Sequence, residues 1–549
     1  MLKARVSRVV FSSGIAPSES EYFDEINAYK KKTWWLLLLF LSRTMIPIAK
    51  GVQASSSYLN IQGSSYRMTY YSIINDVEGT CYVPELSNNN WTFGEIENIT
   101  KKYGFELAKE LDRCEYFAYN YSVFFNKSYL QAYELKKTMG RHTVLSCAGK
   151  DILLSLHSSK YHTVNTPFCH AKEFAKKMVV LKTTSYTVGS IFFGVLGDLF
   201  GRRKVSIIVA VLWATCALLL ALAPNLDMSQ VFYSASCCFF VAADFLTYVN
   251  LLEICHKKIR FFTVLTLYGY IAGFIVCTRF ADHLHFSWLY LQYISFCFTL
   301  IAVFHCWYVP ESPRWLINKS KYKGALKVME EIIGYVPNEI LFEDEGSETP
   351  FSFKTIGHMC RYLRKRKLKI ITILGVMNTI IGFVNETQVW RLMHTKYPLK
   401  ATIVAASADL LSLPYILIIY AAFGKKYGLF WTFIFLNVTS FITLCLKDIR
   451  TTETNSSAIV ILNAVTAQKF VYIYLPDLMP TFLRCTGIGI AATLSSIART
   501  ITVQFINWEE ATKNYIYLIF LIFSLPGFFV LKLPDTTHAD LPTTRLFRV

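Results

Sequence analysis

Long apolar segments dominate the sequence, and they limit it to folds that can cross a lipid bilayer. Crossing the hydrocarbon core takes about 20 consecutive, mostly apolar residues, and such segments recur twelve times along the chain. They are numbered span 1 to span 12 and run near residues 33–51, 178–197, 205–224, 231–252, 261–281 and 287–309, then near 370–388, 401–422, 429–446, 457–475, 485–506 and 514–532. The sequence therefore predicts an all-α membrane protein with about twelve transmembrane helices.

The composition agrees with a membrane protein and argues against two other classes. Hydrophobic residues make up 53% of the chain and charged residues only 17%, which leaves too little polar surface for a soluble protein of 549 residues. The formal charge of +18 raises the alternative of nucleic-acid binding, but the basic residues sit between the apolar segments. We expect a lipid bilayer around the chain and no nucleic-acid partner.

Span 1 is the least regular of these segments, because Arg43 interrupts its apolar run. The core of a signal peptide is the alternative. We favour a transmembrane helix, since a long basic leader precedes it and an internal repeat, described below, requires a helix there.

Basic residues beside the short loops predict the orientation, because Lys and Arg accumulate on the cytoplasmic side. Clusters precede span 1 and span 7 and follow spans 2 and 4, whereas loops 224–230 and 282–287 contain neither Lys nor Arg. Both termini are therefore predicted to be cytoplasmic. The expected organisation is a cytoplasmic N-terminus (1–32), a six-helix half (33–309) with an extracellular loop (52–172), a cytoplasmic linker (310–369), a second six-helix half (370–532) and a cytoplasmic tail (533–549).

The loop at 52–172 carries independent signs of an extracellular location. Its N-glycosylation sequons, which also arise by chance, begin at Asn90, Asn98, Asn120 and Asn126. Asn318 begins another sequon but lies on the predicted inner side. An even number of cysteines, Cys81, Cys114, Cys147 and Cys169, makes them disulfide candidates, with the connectivity left open. The cysteine spacing does not indicate a metal site.

An internal repeat relates the two sets of six spans. Glu253 is followed seven residues later by Arg260, and Asp477 is followed seven residues later by Arg484, so the two pairs are 224 positions apart. The sequences Pro-Glu-Ser at 310–312 and Pro-Asp-Thr at 534–536 repeat at the same offset, and the Gly-Arg-Arg at 201–203 has a counterpart in Gly-Lys-Lys at 424–426. Parallel repeats of this kind are typical of secondary transporters whose substrate site lies between the halves.

These repeated segments also resemble a known family. Residues 194–203 (GVLGDLFGRR) resemble the loop motif between helices 2 and 3 of the major facilitator superfamily, and 310–316 (PESPRWL) resembles the signature after helix 6. Residues 477–481 (DLMPT), with 484–489 and the ending 533–536 (LPDT), are more similar to the organic cation, carnitine and organic anion transporters than to sugar porters. The resemblance implies two pseudo-symmetric six-helix halves, a plasma-membrane location and alternating access.

The motif residues predict a cytoplasmic latch that closes when the cavity opens outward. Asp198 is expected to face the positive N-terminal end of a neighbouring helix, and the arginines are expected to pair with Glu253, Glu311 and Asp477. The alternative is that these residues only anchor topology. The predicted latch comprises Gly194, Asp198, Gly201, Arg202, Arg203, Glu253, Arg260, Glu311, Arg314, Asp477 and Arg484.

Several positions depart from the family pattern. Leu199 stands where a basic residue is usual, and Lys425 stands where the second motif copy would have Asp, so a weaker latch is expected. Ser496 occupies the span 11 position at which cation carriers tend to have Asp and anion carriers Arg. This position therefore does not indicate the charge of the substrate.

Ionisable side chains within spans are costly and mark candidate substrate sites. Asp244, near the centre of span 4, is the clearest candidate partner for an ammonium group. The alternative is that Asp244 or Asp409 pairs internally with Lys469, Arg499, Lys182 or Arg43. The predicted substrate-binding residues are Asp244, Asp409, Lys469, Ser496, Arg499, Tyr270 and Tyr472, the tyrosines as aromatic walls.

The sequence thus predicts a transporter of small organic ions that works by alternating access, with a cation or zwitterion favoured. An organic anion transporter is the first alternative, and a transport-inactive relative serving as a cell-surface receptor or adhesion protein is the second. A phosphate-binding loop is absent from the sequence, which argues against an ATP-driven pump. We expect no cofactor and no metal, and the sequence offers no constellation of catalytic residues that would suggest an enzyme.

Overall fold

A computed structural model gives the fold of the chain. It describes residues 37–50, 52–53, short stretches between 79 and 164, and most of 171–536, with main gaps at 224–225, 270–271, 276–287, 334–352, 394–397, 446–451 and 506–524. The first half contains a helix at residues 37–50 and the helices Ala171–Phe200, Arg202–Ala221, Leu226–Ile254, Lys257–Arg260 with a 3-10 continuation Phe261–Tyr268, and Trp288–Tyr308. The second half contains Leu368–Met393, Pro398–Cys445, Thr452–Leu478, Arg484–Phe505 and a 3-10 segment Leu525–Lys532.

These helices form because a chain inside a bilayer must satisfy its backbone hydrogen bonds within each segment. Within the described residues, seven helices are long and apolar enough to cross a membrane. Pro398–Cys445 contains spans 8 and 9, which a backbone break at Gly424 separates. Gly424 has a φ of 72°, and Gly201, between spans 2 and 3, has a φ of 109°. The repeated glycines therefore make the same kind of turn in both halves, in a backbone region that other residues rarely adopt.

Small residues let spans 2 and 11 approach each other closely, as is usual where helices pack in membranes. A Cβ atom added to Gly489 would lie 2.3 Å from the carbonyl oxygen of Ser190, and one added to Gly194 would lie 3.0 Å from that of Cys485. Further along the same two spans, the hydroxyl of Thr500 donates to that of Thr183 over 2.6 Å. Spans 2 and 11 thus join the two halves along much of their length.

Short helices follow span 6. Ser312 accepts a hydrogen bond from the Trp315 backbone N–H and so caps the helix Pro313–Asn318. The helix Tyr322–Ile333 then packs its apolar side against the ends of spans 1, 4 and 6 through Ala325, Met329 and Ile332. A third helix, Phe353–Tyr362, continues through a π-helical turn, Leu363–Lys367, into span 7.

Residues 56–179 make up most of a separate compact unit. Its described part contains a helix, Tyr129–Thr138, and five short strands: β1 (Gly79–Cys81), β2 (Glu115–Phe117), β3 (Val144–Ser146), β4 (Ile152–Ser155) and β5 (Tyr161–Val164). The strands form antiparallel sheets in the orders β1-β4-β5 and β2-β3. These strands are not predicted from the sequence, because strands of three or four residues are too short for a clear alternating pattern.

Candidate functional site

The end of the helix bundle that carries the connection between spans 2 and 3, here called the motif end, is held by buried ion pairs. Glu253, at the end of span 4, lies 3.2 Å from the guanidinium of Arg202 in the same half. The same carboxylate oxygen bonds to the guanidinium of Arg484, at the start of span 11 in the other half. All three side chains are fully buried. Glu253 therefore connects the two halves directly.

A second carboxylate repeats this arrangement at the 224-residue offset. Asp477, at the end of span 10, lies 2.5 Å from Lys425 in its own half and 3.9 Å from Arg260 in the other half. Lys425 occupies the position that Arg202 has in the first half, directly after the positive-φ glycine. Although Lys425 departs from the family motif, it therefore places a buried cation where the first half has Arg202.

Asp198 joins the halves by a different contact. Its carboxylate accepts hydrogen bonds from the backbone N–H groups of Cys485 (3.2 Å) and Thr486 (2.8 Å) and from the Thr486 hydroxyl (2.8 Å). These residues form the first turn of span 11, so a buried anion caps the positive end of that helix. Arg202 lies 3.1 Å from the same carboxylate.

Glu311 contacts a helix terminus within its own half. Its carboxylate accepts from the backbone N–H groups of Arg202 (2.9 Å) and Arg203 (3.1 Å) and so caps the start of span 3. A Cβ atom added to Gly201 would lie 2.4 Å from that carboxylate, which explains the glycine there.

The remaining arginines of the predicted latch bind carbonyl groups. The Arg203 guanidinium donates to the Trp307 carbonyl over 2.8 Å, and the Arg314 Nε donates to the Glu253 carbonyl over 3.3 Å. The structure thus brings the predicted latch residues together at one end. Arg203 and Arg314 were expected to pair with carboxylates, whereas the two hydrogen bonds described here are to backbone carbonyl groups. Their role in transport stays a prediction.

Asp244, the first candidate for binding a cation, lies between two cations of span 1. Its carboxylate oxygens lie 2.6 Å from Arg43 and 2.9 Å from Lys50, and Arg43 is fully buried. The internal pair that the sequence left open as an alternative is therefore what the geometry shows. Lys50 was not among the candidates, although it follows Arg43 by seven residues and so lies on the same side of that helix.

Asp409, the second acidic candidate, is paired in the other half. Its carboxylate lies 2.7 Å from the ammonium of Lys469 in span 10. Lys469 also lies over the ring of Tyr268, 3.4 Å from its centroid, and the Tyr268 hydroxyl is 2.9 Å from that of Ser412. The ring of Tyr268 therefore already binds a cation of the protein.

Arg499, in span 11, has weaker partners than the other candidates. Among the described residues, its guanidinium donates to Gln468 over 3.5 Å and forms no ion pair. Tyr472 lies close enough to Arg499 and Asp244 to interact with both electrostatically. Ser496 is buried one turn before Arg499.

Two further charges lie within the electrostatic reach of this region. Lys182, in span 2, interacts with Arg499 and with Glu386 in span 7, and its ammonium lies 5.7 Å from the ring centroid of Tyr186. Glu386 was missed in the sequence, although it lies inside the range predicted for span 7. An acidic residue inside a predicted span is itself a signal for a candidate site, and that signal could have identified Glu386.

Several predicted residues lie outside the described part of the structure: Tyr270, Asn90, Asn98, Asn126, Cys114, Cys147, Cys169 and the side chain of Cys81. Asn120 is described and exposed, and its side-chain oxygen accepts a hydrogen bond from the hydroxyl of Ser122 over 2.6 Å. The acceptor asparagine of that sequon is therefore open to solvent.

Comparisons with known proteins agree with this architecture. The family model described as sugar (and other) transporter matches residues 157–542. Organic cation/carnitine transporter 2 of Mus musculus is 23% identical over 407 residues, which are 72% of each chain. The carcinine transporter of Drosophila melanogaster is 26% identical over 390 residues, which are 66% of this chain and 56% of that protein.

Solved structures give the same fold. The proton:xylose symporter XylE bound to 6-bromo-6-deoxy-D-glucose has a TM-score of 0.59 at 14% identity and covers 93% of this chain and 98% of its own. The human organic anion transporter MFSD10 has a TM-score of 0.52 at 11% identity, covering 90% and 98%. These likenesses confirm the predicted twelve-helix fold in two six-helix halves. The chain has the fold of the major facilitator superfamily. It is a membrane transporter rather than an enzyme, and it belongs to the sugar (and other) transporter family, as a divergent relative of the organic cation and carnitine transporters.

Proposed function

We propose that the chain transports small organic ions that carry a carboxylate, by alternating access between its two halves. A carnitine-like zwitterion is the favoured substrate, and a simple organic anion is the second candidate. The proposal narrows the sequence-based expectation, because a cation without a carboxylate is now disfavoured.

The charge balance inside the membrane carries this proposal. Among the described residues of the spans, away from the motif end, five side chains are cationic and three are acidic: Arg43, Lys50, Lys182, Lys469 and Arg499 against Asp244, Asp409 and Glu386. Both candidate aspartates already have cationic partners. The excess positive charge needs a counterion, and buried charges are stable only when paired. A substrate carboxylate provides that counterion.

Arg499 is the residue that we expect to bind the carboxylate. Guanidinium groups bind carboxylates through two parallel hydrogen bonds, and Arg499 has no acidic partner among the described residues. One similar relative bears the name of an organic cation/carnitine transporter. Carnitine carries a carboxylate and a quaternary ammonium group, so it matches both that relative and the excess positive charge.

Uptake by cells that express the chain tests this function. Carnitine and benzoate are expected to accumulate faster than tetraethylammonium, and Arg499→Gln is expected to lower carboxylate uptake by about tenfold or more, the loss of one hydrogen bond to a charged group. Arg499→Lys keeps the charge and is the matched control, with a smaller loss. Faster uptake of tetraethylammonium, unchanged by Arg499→Gln, would contradict the substrate class. Absence of all uptake, with the protein at the cell surface, would favour the transport-inactive receptor.

We also propose a plasma-membrane location with both termini in the cytoplasm and the loop 52–172 outside. Combined Gln substitution of Asn90, Asn98, Asn120 and Asn126 is expected to remove most of the gel-mobility shift that a glycosidase produces, since only lumenal sequons are modified. Asn318→Gln, in the predicted cytoplasmic linker, is the matched control and should leave the shift unchanged. A shift that survives the fourfold substitution would overturn this orientation.

A further inference from the structure

The connection into span 7 presents a basic face that the transport site does not use. Arg361 ends the helix Phe353–Tyr362, Arg364 and Lys365 lie in the π-helical turn, and Lys369 lies in the first turn of span 7. All four side chains are exposed. Within the described part of the chain, none of the four forms an ion pair.

The opposite side of this connection is fixed against the bundle. Met359, Tyr362 and Leu363 pack against Leu199 and the 481–483 turn. The ring centroids of Tyr362 and Phe482 are 5.1 Å apart, and Lys367 donates to the Leu478 carbonyl over 2.9 Å. The rotation of the helix is thereby set, and the four basic side chains point away from the protein. Leu199, a departure from the family motif, contributes to this apolar contact.

The basic face lies where span 7 enters the bilayer. The apolar span begins at Leu368, whose side chain is among the exposed large hydrophobic residues. No Asp or Glu occurs between residues 349 and 385 to balance the charge locally. By contrast, the exposed Lys323 and Lys327 share their helix with Glu330 and Glu331. Exposed cations beside an exposed leucine, at the start of a span, match a phosphate headgroup above an acyl chain.

We propose that this face, formed by Arg361, Arg364, Lys365 and Lys369, binds acidic phospholipids of the adjoining leaflet. The phosphate and carboxylate groups of the lipid accept hydrogen bonds from the Arg and Lys side chains, and its acyl chain lies against Leu368. The lipid thus binds to the same helix that contacts Leu199 of the first half and Phe482 of the second.

Native mass spectrometry of the purified full-length chain tests this proposal, with phosphatidylserine, phosphatidylinositol 4,5-bisphosphate and phosphatidylcholine added to the detergent. The acidic lipids are expected to bind at least tenfold more tightly than phosphatidylcholine. Arg364→Gln with Lys365→Gln should weaken acidic-lipid binding by about thirtyfold, because each cation near an anionic surface contributes about a fivefold factor. Lys323→Gln with Lys327→Gln removes the same charge and should change binding less than twofold.

Further measurements identify the ligand. Raising the ionic strength should weaken the binding of the acidic lipids and leave the binding of phosphatidylcholine unchanged. Soluble inositol 1,4,5-trisphosphate should not displace the lipid at equal concentration, because it lacks the acyl chain; equal displacement would mean that the ligand is a soluble polyphosphate. Equal affinity for acidic and neutral lipids, or equal losses in the two double variants, would overturn the proposal. An acidic segment of the chain, such as residues 343–348, would be the true occupant of the face if acidic lipids bound only after that segment was neutralised, and this result would also overturn the proposal.

Discussion

Asp244→Asn is expected to deplete the protein from the cell surface, rather than to abolish uptake by a correctly inserted transporter. The Asp244 carboxylate lies 2.6 Å from the fully buried Arg43 and 2.9 Å from Lys50. An amide of the same size cannot neutralise these two cations. Removing one partner of a buried ion pair costs about 3–5 kcal/mol, which is a large share of a typical folding free energy of about 5–15 kcal/mol.

Surface biotinylation and thermal unfolding of the purified protein measure this loss. The double variant Asp244→Asn with Arg43→Met is the informative control, because it removes the buried cation together with the carboxylate. We expect it to recover most of the surface level, since apolar replacement of a buried ion pair is often close to neutral. A normal surface level of Asp244→Asn, combined with a selective loss of tetraethylammonium uptake, would instead identify Asp244 as a substrate-binding carboxylate.

Asp198→Asn is expected to lower transport and to open the motif end to solvent. The carboxylate accepts hydrogen bonds from Cys485 and Thr486 of the other half. An asparagine would keep a single acceptor oxygen, and its NH2 group would face backbone N–H donors. Hydrogen bonds to charged groups contribute about 1.5–3 kcal/mol, so the equilibrium between closed and open motif ends should shift by about ten- to hundredfold.

A native cysteine reports this opening. Cys485 is fully buried beside Asp198, so its labelling by N-ethylmaleimide, followed by peptide mass spectrometry, should rise in Asp198→Asn. Glu311→Gln is the matched control, because that carboxylate lies at the same end but bonds within its own half. It should lower thermal stability while Cys485 stays protected. Full transport by Asp198→Asn with an unreactive Cys485 would leave Asp198 as a structural anchor only.

Local sequence patterns were sufficient to predict the helices of the bundle, but they were insufficient to predict the strands of the loop 52–172. A membrane-spanning helix is a mostly apolar segment that satisfies its own backbone hydrogen bonds, so length and hydropathy were enough to predict the spans. The pairing of β1 with β4 joins Cys81 to Ile152, and such distant partners have no local signature in strands this short.

By itself, the sequence determined the number of spans, the 224-residue repeat and the identity of the motif residues, because each depends on local composition or on spacing along the chain. Only the tertiary structure decided which charges meet. Arg43 and Asp244 are about 200 positions apart, and Glu253 bonds to Arg484 across the two halves. A buried charge binds whichever opposite charge the helix packing brings within about 4 Å, and that choice depends on the positions of whole helices rather than on neighbouring residues. This is why Asp244 is predicted from sequence to attract a cation, and why the folded protein supplies that cation from span 1.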